Sequence, residues 1–244
     1  MAFATGNQTR LISGPFALSS HATQVAASSS FATLERTPMT STAPGFILGK
    51  ESHTLTVTSM MDSDTTAGGY WASVKGAFEA GTLLPVSVAP IGFDAGNSIL
   101  LAEAYTAMLG IGSDVDSAVD VPITYAVTGD AAYGQSLVNH AAVTATTTGS
   151  AIDGAAASTN GGIAHLHVTA ASGTTPTCDV TIEHSVNGST SWATLATFAQ
   201  VTTAVASQRV TVAAGTSVRR YLRAVITLTG SGLSYTVAVA FARS

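Results

Sequence analysis

The sequence predicts an all-β protein with a minor α-helical part. Thr, Ser, Val, Ala and Gly dominate its 244 residues, and apolar and polar residues alternate with a period of two in many segments. Hydrophobic residues make up 46% and charged residues only 9%, a balance that excludes intrinsic disorder. Because a free surface usually carries about 25–35% charged residues, we expect much of this surface to be covered, most simply by copies of the same chain.

Two half-buried strands stand out in the first half of the chain. In residues 53–58, Leu55 and Val57 share one face while threonines occupy the other. Residues 121–127 alternate in the same way. Since proline cannot donate a ladder hydrogen bond, Pro122 places that second strand at a sheet edge or a strand start.

A helix is predicted over residues 69–80. Its apolar residues recur at helical spacing, and Gly81 is a suitable C-terminal stop. The residues that set this spacing are Trp71, Val74 and Phe78. Residues 99–109 suit either a second helix or a long strand.

The second half of the chain predicts six short strands separated by turn signals. The strongest turn is Asn187-Gly188, since this pair supplies the positive φ angles of a tight hairpin. Six strands in about 90 residues indicate a β-sandwich or jelly roll. The predicted strands are residues 163–169, 178–184, 192–198, 209–212, 218–228 and 233–242.

A change of composition predicts two domains. Residues 140–162 are rich in Ala, Thr, Ser and Gly and carry one charge. Before them lie eleven acidic and four basic residues, and after residue 150 lie three acidic and five basic ones. We therefore expect an acidic β-domain over residues 1–142 and a mildly basic one over residues 143–244, with residues 143–162 as a linker or first strand.

Several functional classes lack their signals. The single cysteine, Cys178, cannot form an intrachain disulfide, which favours synthesis in a reducing compartment. The long uncharged stretches are too rich in Thr, Ser and Gly for a membrane helix, and the first ten residues do not resemble a Sec-type signal. Nucleophile elbows, phosphate loops, dinucleotide fingerprints and paired metal-ligand motifs are absent from the sequence. We expect neither an enzyme nor a bound cofactor.

Two groups of residues could bind a metal ion. His165 and His167 share a strand face and could bind zinc together with His184, but no local carboxylate or cysteine completes such a site. We interpret the two as polar residues on a solvent or interface face. The second group resembles the start of a calcium loop but lacks its glycine and closing glutamate, so an exposed acidic loop is the favoured interpretation. It consists of Asp114, Asp116 and Asp120.

Another group of residues could contact a partner. Arg219, Tyr221 and Arg223 fall on one strand face and could touch an acidic partner or a nucleic acid. An ordinary solvated face is the alternative, because three such residues make a weak patch. With Trp192 they form our set of candidate outer-face contacts.

Two sets of segments resemble known virion proteins. The first resembles major tail tube proteins of long, non-contractile-tailed bacteriophages, in which an acidic-x-Thr element precedes a Phe-Ile-x-Gly turn and a Thr-rich strand. The second resembles a β-domain that recurs at the C-terminus of phage virion proteins. The first set is LERTPM at 34–39, APGFILG at 43–49 and SHTLTVTSMMD at 52–62. The second is GGIAHLHVT at 161–169, IEHS at 182–185, WATLATF at 192–198 and RRYLRA at 219–224.

The resemblance implies a structural protein of the virion tail. The first domain would be a tube-forming β-sandwich with a flanking helix, its long hairpins joined to those of neighbours, and the second would decorate the outside. Subunits would assemble in the host cytoplasm into stacked, hexameric rings that conduct the genome during ejection. Partners implied in the same way are the tape-measure protein, the tail terminator and the tail tip. A carbohydrate-binding or adhesive β-module and a head-decorating virion protein are the alternatives.

An acidic tube interior follows from the physics of a DNA conduit. A basic lumen would hold DNA by phosphate pairing, whereas a weakly negative one lets the duplex slide without specific binding. We therefore predict that some acids of the first region face the lumen, the alternative being that they are solvated outer loop residues. The candidates are Asp62, Asp64, Asp94, Asp114, Asp116, Asp120 and Asp130.

Overall fold

A computed structural model describes residues 6–37, 42–62, 69–114, 116–129, 131–202 and 204–244. Within them the chain forms β-strands and a single α-helix, and the strand registers are antiparallel. The prediction of an all-β protein with a minor α-helical part is confirmed. In chain order the elements are β1 (Arg10–Ser13), β2 (Phe16–Ala17), β3 (Ala22–Glu35), β4 (Phe46–Met60), α1 (Tyr70–Ala80), β5 (Leu84–Ala89), β6 (Ser98–Leu109), β7 (Asp120–Val127), β8 (Ala132–Val143), β9 (Thr147–Thr148), β10 (Ile152–Asp153), β11 (Gly162–Ser185), β12 (Ala193–Thr197), β13 (Ala206–Val212) and β14 (Tyr221–Arg243).

The chain divides into two compact units, each built from separated segments. The first, which we call the ribbon unit, comprises Met1–Ser20, Leu84–Glu103 and Asp130–Ser244. The second, the hairpin unit, comprises His21–Leu83 and Ala104–Gly129. The strand β6 therefore contributes residues to both units. The predicted division of labour between residues 1–142 and 143–244 stays a prediction.

The hairpin unit is a sheet in the order β3, β4, β7 and the second part of β6, with one face buried. Leu55 and Val57 of β4 and Ile123 of β7 are buried, as their period-two spacing predicts. Residues 99–109 form a strand, which decides between the two predicted alternatives. Pro122 lies third in β7, near the start of the strand. The sheet-edge alternative is wrong, because β7 pairs with both β4 and β6.

The helix α1 covers the buried face of this sheet. Its Tyr70 hydroxyl forms a buried hydrogen bond with Ser59, which lies on the same side of β4 as the core leucine and valine. The helix ends at Gly81, whose φ of 56° and ψ of 37° give the left-handed cap that the sequence predicts. Both the helix and its stop are therefore confirmed.

The ribbon unit is built around the pairing of β11 with β14, which runs from Gly162 opposite Arg243 to Ser185 opposite Tyr221. The register shifts near residues 168–177, where the ribbon is largely exposed. Apolar side chains from both sides of this break line one core, with Leu166 before it and Val180 after it. The ribbon therefore folds over around its own core.

The second part of β14 has apolar residues on both faces. Val237, Val239 and Phe241 belong to the core inside the ribbon. The intervening Ala238, Ala240 and Ala242 belong to a second core, to which β1, β5, β6 and the loop residue Phe93 also contribute. Because these three side chains are single methyl groups, the strands of the N-terminal segments can approach the ribbon closely.

The six strands predicted in the second half overlap four observed ones. The first and second are continuous in β11, and the fifth and sixth in β14. Residues 143–162, predicted as a linker or first strand, include the short strands β9 and β10, and both pair with β14. Cys178 is fully buried, and burial raises the pKa of its thiol to about 11. It is thus a core residue, as a lone thiol in a strand predicts.

Candidate assembly surfaces

The strand β3 is a long edge strand without charge protection. Among the described strands it pairs with β4 alone. Residues 24–31 lie between two register shifts and form an uninterrupted edge. Proteins normally protect such an edge with lysine, proline or bulges. The register shifts of β3 flank residues 24–31, the strand carries no lysine or proline, and its one acid is Glu35, at its end. In the described part of the chain, no strand pairs with the second edge of β3.

The far end of the β3–β4 hairpin is apolar and exposed on both strands. The exposed fraction of its large apolar side chains ranges from 47% for Ile47 to 67% for Leu48. Contiguous exposed apolar side chains on a soluble protein mark interaction sites. We call this set the hairpin tip, and it consists of Phe31, Leu34, Phe46, Ile47 and Leu48.

The face of the hairpin sheet opposite α1 is open and nearly uncharged. Residues directly opposite each other in register share a face, so each cross-strand row can be assigned from the pairings. We call this the threonine face. It consists of Gln24, Ala26, Ser28 and Ser30 of β3, Ser52, Thr54, Thr56, Thr58 and Met60 of β4, Asp120, Pro122, Thr124 and Ala126 of β7, and Tyr105 and Met108 of β6. Asp120 is its one charged member. Hydroxyl and methyl groups form most of the face, and the larger side chains of Tyr105 and Met108 are exposed along β6.

Two of the acids predicted to face a lumen lie in different environments in the hairpin unit. Asp62 caps α1, since its carboxylate accepts hydrogen bonds from the backbone N–H of Tyr70 at 2.9 Å and of Trp71 at 3.3 Å. A carboxylate there satisfies free N–H groups and the helix dipole. Its Oδ2 also lies 3.7 Å from His21 Nε2. Asp120, by contrast, is exposed at one end of the threonine face.

Three of the remaining acids of that set lie in exposed loops of the two units. Asp114 and Asp116 are exposed in the connection from β6 to β7. Asp94 is exposed in the ribbon unit, in the loop after β5. Asp64 and Asp130 lie outside the described residues. A common lumen-facing role for the set stays a prediction.

The candidate outer-face contacts form a surface cluster in the ribbon unit. The Arg223 guanidinium stacks on the Trp192 ring at 4.0 Å and donates a 2.8 Å hydrogen bond to Glu183. A stacked, paired arginine covers this ring face, so the face is closed to a sugar ring. The second aromatic ring, Tyr221, packs against Gly188 of the connecting loop. Their outer-face contact role stays a prediction.

The loop beside this cluster differs from the tight hairpin that the sequence predicts. It covers residues 186–192, because the Asn187 side chain accepts hydrogen bonds from the backbone N–H of Ser189 and Thr190 and so widens the turn. Gly188 takes the predicted positive φ, at 71°. Arg219 donates to the carbonyl of Ser191 and fixes the end of the loop.

An ion pair fastens residues 150–156 to β14. Arg220 Nε and Nη2 donate to the two carboxylate oxygens of Asp153 at 2.7 and 2.6 Å. The Arg220 hydrogen bonds, assisted by the backbone N–H of Ala155, lower the pKa of Asp153 to about 2. The bidentate geometry fixes the segment more specifically than a single contact would.

His165 and His167 are buried, which corrects their assignment to a solvent or interface face. Their exposed fractions are 0% and 1%, and both contact Ser87. His184 is in another setting, where its Nδ1 accepts a hydrogen bond from the backbone N–H of Arg219. Within the described part of the chain, no group of three or more His, Cys, Asp or Glu side chains is placed to hold a metal ion. The described helix is too short to cross a membrane.

Searches against protein-family models and against curated proteins gave no match. Among solved structures, the chain is similar to one from the virion of a native gene transfer agent particle (13% identity, 54% of this chain and 98% of that one, TM-score 0.42). It is also similar to the SPP1 tail tube (14%, 55% and 80%, TM-score 0.45). A third is the SPP1 Dit protein, described as a hub of the adsorption apparatus (12%, 96% and 98%, TM-score 0.40). Similarity at this level assigns no function by itself.

Proposed function

We propose that this protein is a structural virion protein that assembles with copies of itself into the tube of a phage tail. The observation that carries the proposal is the edge of β3, a long uncharged strand that pairs on one side only among the described strands. An edge of this kind binds another strand by main-chain hydrogen bonds. A contact between two different surfaces repeats from copy to copy and closes into a ring when the rotation allows.

The hairpin tip supports contacts beyond the edge itself. Its five apolar side chains extend from a hairpin that is exposed on both faces, so burying them requires a neighbouring chain. Burial of apolar surface contributes about 25 cal/mol per Å². The tip therefore supplies a driving force for association that does not depend on charge pairing.

We assign the threonine face to the lumen. Hydroxyl and methyl groups offer a DNA duplex no cationic partner for its phosphates, so the face lacks the contacts that would trap DNA. Asp120 adds a negative charge at one end of the face. In this arrangement the genome slides along uncharged rows of threonine, and Asp120 is the predicted acid with the best placement.

The same proposal covers the wider expectations of the sequence. The edge, the tip and the threonine face all lie in the hairpin unit, within residues 1–142, so the assembly surfaces fall in the predicted tube-forming part. The proposal also includes hexameric rings and an outer decorating role for residues 143–244. It further includes assembly in the host cytoplasm and binding to tape-measure, terminator and tip proteins. The role is structural rather than catalytic.

Charge placed on the β3 edge tests self-assembly. We expect the purified full-length protein to form rings or tubes at high concentration, visible by negative-stain microscopy and by sedimentation. The variant Ala27→Lys/Ser28→Lys puts one lysine on each face of the edge, and we expect it to remain monomeric. The matched control, Thr227→Lys/Thr229→Lys, adds the same charge at exposed positions of β14, and it should assemble like the natural chain.

Three outcomes would reject the proposal. The first is a natural chain that stays monomeric at all concentrations and is absent from isolated tails. The second is location on the virion head, which would favour the decorating alternative. Binding of the monomer to a glycan array through Trp192 would favour the carbohydrate-binding one. A map of the tube with a lumen lined mainly by arginine and lysine would reject the assignment of the threonine face alone.

A further inference from the structure

A chain of hydrogen bonds crosses the second core of the ribbon unit. Ser87 Oγ of β5 lies 3.1 Å from His165 Nδ1 and 2.8 Å from His167 Nε2. The other nitrogen of His167, Nδ1, lies 2.7 Å from the carbonyl oxygen of Gly14, in the turn from β1 to β2. Two histidines of β11 are thereby tied to both N-terminal segments of the unit.

The partners fix the direction of every hydrogen bond. His167 Nδ1–H donates to the Gly14 carbonyl, because a carbonyl can only accept. His167 Nε2 is then the acceptor for the Ser87 hydroxyl, and the Ser87 oxygen accepts from His165 Nδ1–H. This arrangement uses each available proton once, with both imidazoles neutral. The remaining atom, His165 Nε2, is buried without a hydrogen-bond partner.

One extra proton breaks this arrangement. If His165 takes it up, Nε2–H becomes a buried donor with no acceptor. If His167 takes it up, its Nε2–H donates to the Ser87 oxygen, and the Ser87 hydroxyl loses its acceptor. The hydroxyl is then either an unsatisfied donor itself or donates to His165 Nδ1, which moves the His165 proton to the unpartnered Nε2. A buried unsatisfied donor costs about 1–3 kcal/mol, and more when the group is charged.

The charged and titratable groups around the pair also oppose a positive charge. On β13, Arg209 lies opposite His165 in register and is paired with Glu103 of β6 at 2.5 Å. From β8, His140 acts on His167, and it hydrogen-bonds Thr169. Burial is the main cause that lowers the pKa of His167, to about 4, and that holds the pKa of His165 well below its ordinary value.

We propose that the hydrogen-bonded series of His165, Ser87, His167 and Gly14 is an acid-sensitive latch. It holds β1 and β5 against the β11–β14 ribbon and releases them when the histidines bind protons. In the closed state both histidines stay neutral, and in the open state both imidazoles reach solvent and can bind protons as exposed histidines do.

The direction of the pH dependence follows from the proton balance. An exposed histidine has a pKa near 6.5. As the pH falls below this value, the open state binds protons that the closed state refuses, so the closed state loses stability down to the pKa of the buried group, about 4 for His167. The open fraction should therefore rise about tenfold per pH unit for each histidine.

Backbone hydrogen exchange of the full-length protein tests the latch. After correction for the intrinsic exchange rate, we expect protection of β1 and β5 to fall by about tenfold or more per pH unit below pH 6.5. The variant His165→Asn/His167→Gln keeps polar side chains but cannot bind the protons, so its protection should depend little on pH. His53→Gln, in the hairpin unit, is the matched control and should behave like the natural chain.

Two further measurements keep the proposal testable if the double variant folds poorly. Carbon NMR of the imidazole rings should show both histidines neutral at pH 5.5 in the closed protein. Ser87→Ala removes the shared hydroxyl but keeps both histidines, and it should reduce protection of β1 at pH 7.5. Rings that titrate near pH 6.5 while β1 stays protected, or an equal loss of protection in natural and double-variant chains, would overturn the latch.

Discussion

Two long antiparallel strand pairs in this chain have opposite surroundings. The β11–β14 ribbon is largely buried except at its bend, and the second part of β14 is buried on both faces. The β3–β4 hairpin is comparably regular in its pairing, but nearly all of β3 and the first part of β4 are exposed. One pair is thus stabilised by its own chain, and the other presents surface that its own chain leaves uncovered.

The difference lies in composition as much as in position. The ribbon alternates large and small apolar residues and reaches a core on each side. The hairpin places serine and alanine along its edge and large apolar residues at its tip. An isolated two-stranded hairpin is only marginally stable in water, so the exposed hairpin would gain stability from the neighbouring chain that the proposed assembly supplies.

Matched phenylalanine truncations test this comparison most strongly. Phe241 is 1% exposed inside the ribbon and Phe31 is 50% exposed at the hairpin tip. We expect Phe241→Ala to lower the free energy of unfolding by about 3–5 kcal/mol in chemical denaturation. Phe31→Ala should change it by less than about 0.5 kcal/mol but weaken assembly in sedimentation. Similar losses of stability in the two variants would contradict the comparison.

The helix cap provides a test within the hairpin unit. Asp62→Ala removes both acceptors at the start of α1, and we expect a loss of about 0.5–2 kcal/mol. Asp62→Asn keeps a carbonyl acceptor and should lose less. If both variants equal the natural chain in denaturant midpoint, the capping role of Asp62 is wrong and the residue is free to serve at a lumen.

The ion pair of the ribbon unit gives the smallest expected effect. The pKa of Asp153 is about 2 in the folded chain and near 3.8 when unfolded. Because it is lowered by folding, its stabilising effect is complete above pH 4 and is lost as the pH falls toward 2. Asp153→Asn should therefore show a shallower fall in denaturant midpoint over this range. Parallel curves for the two proteins would show that the exposed pair contributes nothing measurable.

Alternation allowed much of the fold to be predicted from the sequence. Leu55 and Val57 identify the buried side of β4 because α1 covers that side of the sheet alone. The helix and its Gly81 stop could also be predicted from the sequence, since local residue spacing and backbone conformation determine both. Strand β3 gave no such signal because both of its faces are exposed and no alternation is required.

Long-range partners explain what the sequence could not predict. Ser87 and Gly14 lie 78 to 153 residues from the histidines that they bind, so the pair looked like surface residues. Asp62 lies eight residues before the helix that it caps, outside the usual capping position. Of the candidate assembly surfaces, the alternation in residues 53–58 predicted part of the threonine face. The hairpin tip was indicated only by the resemblance of its segments to tail tube proteins.

The discontinuous make-up of the ribbon unit also sets the order in which a growing chain can fold. The hairpin unit is complete once residue 129 has left the ribosome, whereas β1 and β5 must wait for β11 and β14. At about 5–20 residues per second, residues 130–244 take roughly 6–23 s to synthesise. During that interval neighbouring nascent chains on one messenger RNA would hold their exposed β3 edges close together, and an exposed edge is a template for premature pairing.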